Sequence, residues 1–150
     1  MTMDDTAKEN WGAGDPYELY VGRWSRKIAG GFLDCIGVPR KSAWADVGCG
    51  TGALTQCILD RCDPQSIGAI DKADGFIATA RQSIEDLRVT FGTGDATKLP
   101  WENQAFDAAV SGLVLNFVPD PNKMLSEMAR VTKPGEKSPP TSGTMLAAWR

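Results

Sequence analysis

Apolar and polar positions change period several times along the chain, and each change marks an element. Trp44-Ala-Asp-Val47 is apolar apart from a single acid, three alternating glycines follow, and Leu54, Ile58 and Leu59 then fall on one helical face. This predicts a buried strand, a tight turn and a helix from about Thr51 to Arg61. Ser66–Ile70 repeats the buried-strand pattern and ends at Asp71, a helix from about Ala73 to Ile84 follows, and Leu87–Phe91 is the third strand. Asp107–Leu113 fits a fourth strand, while Pro119 and Pro121 bar a central strand beyond it. From Asn122 to Val131, the residues Met124, Leu125, Met128 and Val131 share a helical face that Lys133-Pro-Gly135 brings to an end. A proline-rich stretch, Glu136–Ser142, separates this helix from Gly143–Trp149, which reads as a fifth strand. Alternating strands and helices imply an α/β fold: a Rossmann-like, mostly parallel sheet with flanking helices and right-handed crossovers.

The N-terminal part is patterned differently. Residues 1–15 are polar, contain Gly12 and Gly14, and are expected to form a flexible arm ahead of a single domain over 16–150. From Pro16, helical spacing links Tyr17, Tyr20, Val21, Trp24, Ile28 and Phe32, weakened at Gly30-Gly31. A helix or a broken pair covering one face of the sheet is expected, ending near Pro39.

Gly48, Gly50 and Gly52 make the turn after the first strand the best candidate for close approach of a ligand to the backbone. A Walker loop requires Gly-Lys-Ser/Thr, and Gly50-Thr51-Gly52 does not supply it. The dinucleotide spacing G-x-G-x-x-G/A is met by Gly48, Gly50 and Ala53, and Asp71 stands about 20 residues on, where a ribose-binding acid belongs. Spacing therefore points to a nucleoside-containing cofactor and leaves its class open.

The ordered set of motifs narrows that class by resemblance. Asp46-Val-Gly-Cys-Gly-Thr-Gly52, Asp71, Gly94-Asp95-Ala96 before Leu99-Pro100, Phe106-Asp107 and Arg130-Val-Thr-Lys-Pro-Gly135 together resemble class I S-adenosylmethionine-dependent methyltransferases of the type 11 methyltransferase domain family. The likeness spans roughly residues 20 to 135. It implies S-adenosylmethionine as cofactor, held by Gly48, Cys49, Gly50 and Gly52 of the turn. Asp46 would brace that turn near the aminoacyl end, and Asp71, followed by Lys72, would accept both ribose hydroxyls. Asp95 would accept from the adenine amino group, with Ala96 as a backbone donor, while Leu99 and Trp101 flank the base or pack beneath the loop. Tyr20 and Arg23 would reach the aminoacyl end, where the Arg23 fork suits a carboxylate. Ser111, Asn116 and Phe117 fall where cofactor and acceptor meet, the last two as substrate contacts. Members of the family usually carry seven strands, so the resemblance also implies a domain incomplete at its C-terminus, whose open sheet edge favours self-association.

Composition bears on the partners. Lys and Arg total 16 against 19 Asp and Glu, a formal charge of −3, which gives no electrostatic reason to expect nucleic acid or an anionic membrane. A small-molecule acceptor is expected. The chain contains no histidine, which argues against many hydrolase and histidine-metal schemes but suits a sulfonium donor, whose methyl group arrives already activated. Cys35, Cys49, Cys57 and Cys62 lack zinc-site spacing, so no metal is expected and reduced thiols in a cytoplasmic protein are the simplest account. No run approaches the length of a membrane span. None of the candidate residues is an evident general base. Two alternatives remain at this stage: a nicotinamide-dependent oxidoreductase, and a catalytically silent binding module that keeps the cofactor motif.

Overall fold

A computed structural model describes residues 38–112 and 118–134, together with the backbone of two short C-terminal strands. The expected arm, the helix before Pro39, Tyr20, Arg23, Asn116 and Phe117 lie outside the described residues. The elements run β1 (Ala43–Val47), α1 (Ala53–Cys62), β2 (Ser66–Asp71), α2 (Asp74–Ser83), β3 (Val89–Thr93), β4 (Ala108–Gly112), α3 (Pro121–Val131), β5 (Thr141–Ser142) and β6 (Met145–Trp149). They form one sheet in the order β3-β2-β1-β4-β6-β5. β3, β2, β1 and β4 are mutually parallel, with Asp46 level with Ala69 of β2 and Val110 of β4. Strand order reverses at β1, where the sheet continues to β2 on one side and to β4 on the other, the kind of switch point at which ligands of such sheets bind.

Alternation along the strands divides the core between the two faces. Trp44, Ile67, Ala69 and Val110 pack with Leu54 and Ile58 of α1 and Ile77 and Ala80 of α2. Ala45, Val47, Ile70 and Ala109 face the other way, against Met124, Met128 and Val131 of α3. At the base of the sheet Asp107 ties three segments together: its carboxylate accepts from the Ala43 amide at 2.7 Å and from Lys133 Nζ at 3.2 Å.

Most observed boundaries lie within two residues of the sequence expectation, and two of the differences are informative. The third strand starts at Val89 instead of Leu87, because the Asp86 carboxylate accepts from the Arg88 amide at 2.9 Å and the Val89 amide bonds Asp86 O at 3.1 Å. That Asx turn leaves Leu87 fully exposed. The expected final strand, Gly143–Trp149, is observed as Met145–Trp149, preceded by the two-residue β5 and running antiparallel to β4. Thr132 already lies parallel to Phe106 at the foot of β4, and β5 and β6 pair antiparallel, with Ser142 opposite Met145. Only Gly143 and Thr144 separate the two strands, the length of a tight hairpin.

Candidate cofactor site

The turn after β1 is built on backbone that side chains disfavour. Gly48, Gly50 and Gly52 all have positive φ, at 72°, 56° and 93°, the left-handed region open to glycine. At Gly52 a Cβ would also meet Ile84 Cδ1 at 2.7 Å. The amides of Gly48 and Cys49 both bond Ile70 O, at 2.8 and 2.9 Å, which ties the start of the turn to the end of β2. Asp71 completes the link: its Oδ2 accepts from the Gly50 amide at 3.0 Å and its Oδ1 from the Ala73 amide at 2.9 Å. Each carboxylate oxygen can accept more than one hydrogen bond, so Asp71, half-buried at the strand end, retains acceptor capacity toward a diol.

Asp46 has a different task from the one expected of it. The acid that braces the glycine turn is Asp71; Asp46 is fully buried and accepts from Thr55 Oγ1 of α1 at 2.6 Å. Among the described residues its Oδ1 has no hydrogen-bond partner. Burial pushes the Asp46 carboxyl up to about 7; the Thr55 hydroxyl opposes the shift and the nearby Asp71 carboxylate adds to it. Burial likewise raises the Cys49 thiol well above its ordinary value, with Asp46 and Asp71 reinforcing the effect. Cys49 is thus a packed, protonated thiol whose Sγ lies 3.7 Å from Gly50 O.

The loop after β3 carries the third acid. Asp95 is exposed, and its Oδ1 accepts from the Thr97 amide at 2.8 Å and Thr97 Oγ1 at 2.7 Å, an Asx turn. Those two donors hold its carboxyl below the usual range. The Gly94 amide bonds Asp71 O at 3.0 Å, which places the Asp95-Ala96 loop beside the Asp71 strand end. Leu99 is buried against α3, and Trp101 meets Phe106 edge-on at 4.8 Å between ring centroids. Both therefore pack beneath the loop. A Cβ on Gly68 would come within 3.0 Å of the Trp101 ring, so that glycine makes room for it.

The structure accordingly brings Asp46, the glycine turn, Asp71, Asp95 and Ala96 to the carboxyl end of the parallel strands. Lys72 is exposed and turned to solvent. Ser111 is buried, and its hydroxyl has no partner among the described residues. Alternation along β4 puts Ser111 with Ala109 on the α3 face, opposite to Asp46. Glu127 and Arg130 of α3 were assigned no role from the sequence, yet they hold the Leu99–Asn103 loop through both backbone and side-chain contacts. Their i,i+3 spacing announces an ion pair; nothing in it announces backbone partners about thirty residues away. Among the described residues no cluster of acids and cysteines is arranged to hold a metal, and no helix is long and apolar enough to cross a membrane.

This donor set suits a nucleoside ligand with a cationic end: an orphaned buried carboxylate oxygen lies close to the turn, and a partly open carboxylate stands one strand away. Comparison with known proteins decides between the two cofactor classes that glycine spacing left open. A methyltransferase domain family model matches residues 45–137, more than half of the chain, and the chain belongs to that family. It is 34% identical to a demethylmenaquinone methyltransferase of Renibacterium salmoninarum, over 77% of this chain and 45% of that protein. It is 32% identical to a malonyl-[acyl-carrier protein] O-methyltransferase of Acetivibrio thermocellus, over 78% of this chain and 41% of that one. The chain thus spans less than half the length of these two relatives. A Haloferax volcanii methyltransferase solved with its Trm112 activator shares the fold at a TM-score of 0.73 and 24% identity, covering 83% of this chain and 55% of that one. The family's cofactor is S-adenosylmethionine.

Proposed function

We propose that this chain binds S-adenosylmethionine at the carboxyl ends of β1, β2 and β3 and directs its methyl group to a small-molecule acceptor. The observation that carries the proposal is the joint construction of the glycine turn and Asp71. A carboxylate that locks the turn through Gly50 while keeping open lone pairs can position a ribose against a backbone without side chains. In this reading Asp71 holds the ribose hydroxyls, Asp95 and Ala96 receive the adenine, and the buried Asp46 oxygen lies toward the ammonium end. Tyr20, Arg23, Asn116 and Phe117 complete the proposal from the sequence alone, as contacts to the aminoacyl group and the acceptor. The sulfonium carries the reactive methyl, so the protein's share is alignment and exclusion of water. The formal charge of −3 supports a small acceptor over a nucleic acid.

Calorimetric titration of the chain with S-adenosylmethionine, S-adenosylhomocysteine and NADH tests the proposal. Saturable binding of the first two and not the third is expected, and Asp71→Ala should weaken S-adenosylhomocysteine binding about tenfold or more while the far-ultraviolet circular dichroism stays intact. Binding of NADH alone, or undiminished affinity in the variant, would overturn the cofactor placement. Tight binding with no transfer to any acceptor would leave the chain a cofactor-binding module.

A further inference from the structure

The Asp95–Lys98 turn is closed by its own hydrogen bonds. Thr97 caps Asp95 through both its amide and its hydroxyl, and the Lys98 amide returns to Asp95 O at 3.1 Å. The turn is suspended between two anchors. On one side the Gly94 amide bonds Asp71 O, a backbone contact that no substitution at Asp95 disturbs. On the other side, both peptide groups of Leu99 are captured by side chains of α3. Glu127 Oε2 accepts from the Leu99 amide at 2.9 Å, and Arg130 Nη2 donates to Leu99 O at 3.2 Å. Arg130 Nη1 also donates to Trp101 O and to Asn103 Oδ1, each at 2.9 Å, while Nε and Nη2 donate to Glu127 at 2.7 and 2.8 Å. All five donors of the guanidinium are used. The buried Leu99 side chain keeps this segment from leaving the core, but an apolar contact is not directional; the hydrogen bonds fix its rotation.

We propose that Glu127 and Arg130 are positioning residues for the loop that receives the adenine, setting base recognition by Asp95 and Ala96 from the helix packed beneath that loop. The proposal rests on the cofactor placement above. It assigns to the pair a task that ion-pair stability alone does not include: loss of the clamp lets the turn rotate about Leu99, which weakens contacts to the base and leaves those to the ribose at Asp71 unchanged.

The test compares S-adenosylhomocysteine with S-inosylhomocysteine, in which a carbonyl replaces the 6-amino group and N1 carries a proton, so that the donor and acceptor of the edge facing Asp95 and Ala96 are exchanged. Calorimetry on the full chain and on Arg130→Gln, Arg130→Lys and Glu127→Gln gives the ratio of the two dissociation constants, and hydrogen exchange gives the protection of the Leu99 amide. Native chain is expected to prefer S-adenosylhomocysteine. In Arg130→Gln that preference should fall about tenfold, through weaker binding of the adenine ligand, with faster Leu99 exchange. Arg130→Lys, which keeps the charge and loses the fork, should behave like Gln instead of rescuing. Equal weakening of both ligands, or an unchanged ratio in a variant with faster Leu99 exchange, would reduce the pair to a structural role and overturn this proposal alone. Failure of the native chain to bind either ligand would overturn the cofactor placement as well. Should Arg130→Gln not fold, the isosteric Glu127→Gln, which keeps the bonds from Arg130 to the Leu99 and Trp101 carbonyls, carries the same expectation at smaller amplitude.

Discussion

Asp46 lies inside the protein with Thr55 as its hydroxyl donor and Asp71 as a nearby like charge, and the consequence is a pH-dependent domain. Its carboxyl is raised from 3.8 to about 7. Below 3.8 both folded and unfolded chains hold the proton; between 3.8 and about 7 the unfolded chain releases it while the native chain retains it. Stability from this group is therefore full at low pH, falls as pH rises, by at most about 1.4 kcal/mol per unit, and levels off above about 7. Asp95 and Glu127, whose carboxyls are held low, act with the opposite sign and at lower pH. Urea denaturation between pH 5 and pH 8 should thus show native stability declining and the Asp46→Asn variant nearly flat. A parallel decline in both would place the proton elsewhere. The sequence marked both Asp46 and Asp71 as site acids but gave the bracing of the glycine turn to Asp46, whereas the Gly50 amide bonds Asp71. A strand-end position does not reveal which acid reaches across to the turn and which closes inward on the next helix.

Among the elements, α3 was legible because Met124, Met128 and Val131 fall on one buried face, although Leu125, expected on that face, is exposed and the helix opens at Pro121, one residue before the expected Asn122. Asp120 caps it, accepting from the Lys123 amide at 3.1 Å. Asp120→Ala should cost about 1 kcal/mol in urea denaturation, and Asp120→Asn only a fraction of that, since asparagine caps nearly as well. Equal losses in the two variants would point to the charge near the helix N-terminus instead of the cap bond. The glycine turn was equally legible, since positive φ at Gly48, Gly50 and Gly52 calls for the residue that tolerates it. The start of β3 was misread because the Asp86 turn competes with a strand over Leu87 and Arg88, and β propensity carries no signal of that competition. The Glu127–Arg130 clamp was illegible for a further reason. Its partners are the Leu99 amide and the carbonyls of Leu99 and Trp101, which every residue type provides.

At the scale of the molecule, the repeating strand and helix pattern led to a parallel sheet, whereas the return of β6 antiparallel to β4 depends on where the chain reverses after α3, and periodicity does not encode that. Among the described residues the sheet carries two apolar clusters with no member in common, one under α1 and α2 and one under α3. Ile58 and Met128 are completely buried in the first and second respectively. Both clusters rest on β1, where Trp44 and Asp46 alternate with Ala45 and Val47, so neither face can lose its strand without exposing the other. That shared strand predicts one cooperative unit. Ile58→Ala and Met128→Ala should each cost about 2–5 kcal/mol and lower the midpoint of the same transition, whether followed by far-ultraviolet circular dichroism or by tryptophan fluorescence. Because the sheet separates the two side chains, the double variant should lose the sum of the single costs to within about 0.5 kcal/mol. Probes that diverge, with Met128→Ala releasing α3 while the β1–β2–β3 side persists, would instead mean that β4 and α3 dock onto a core already stable without them.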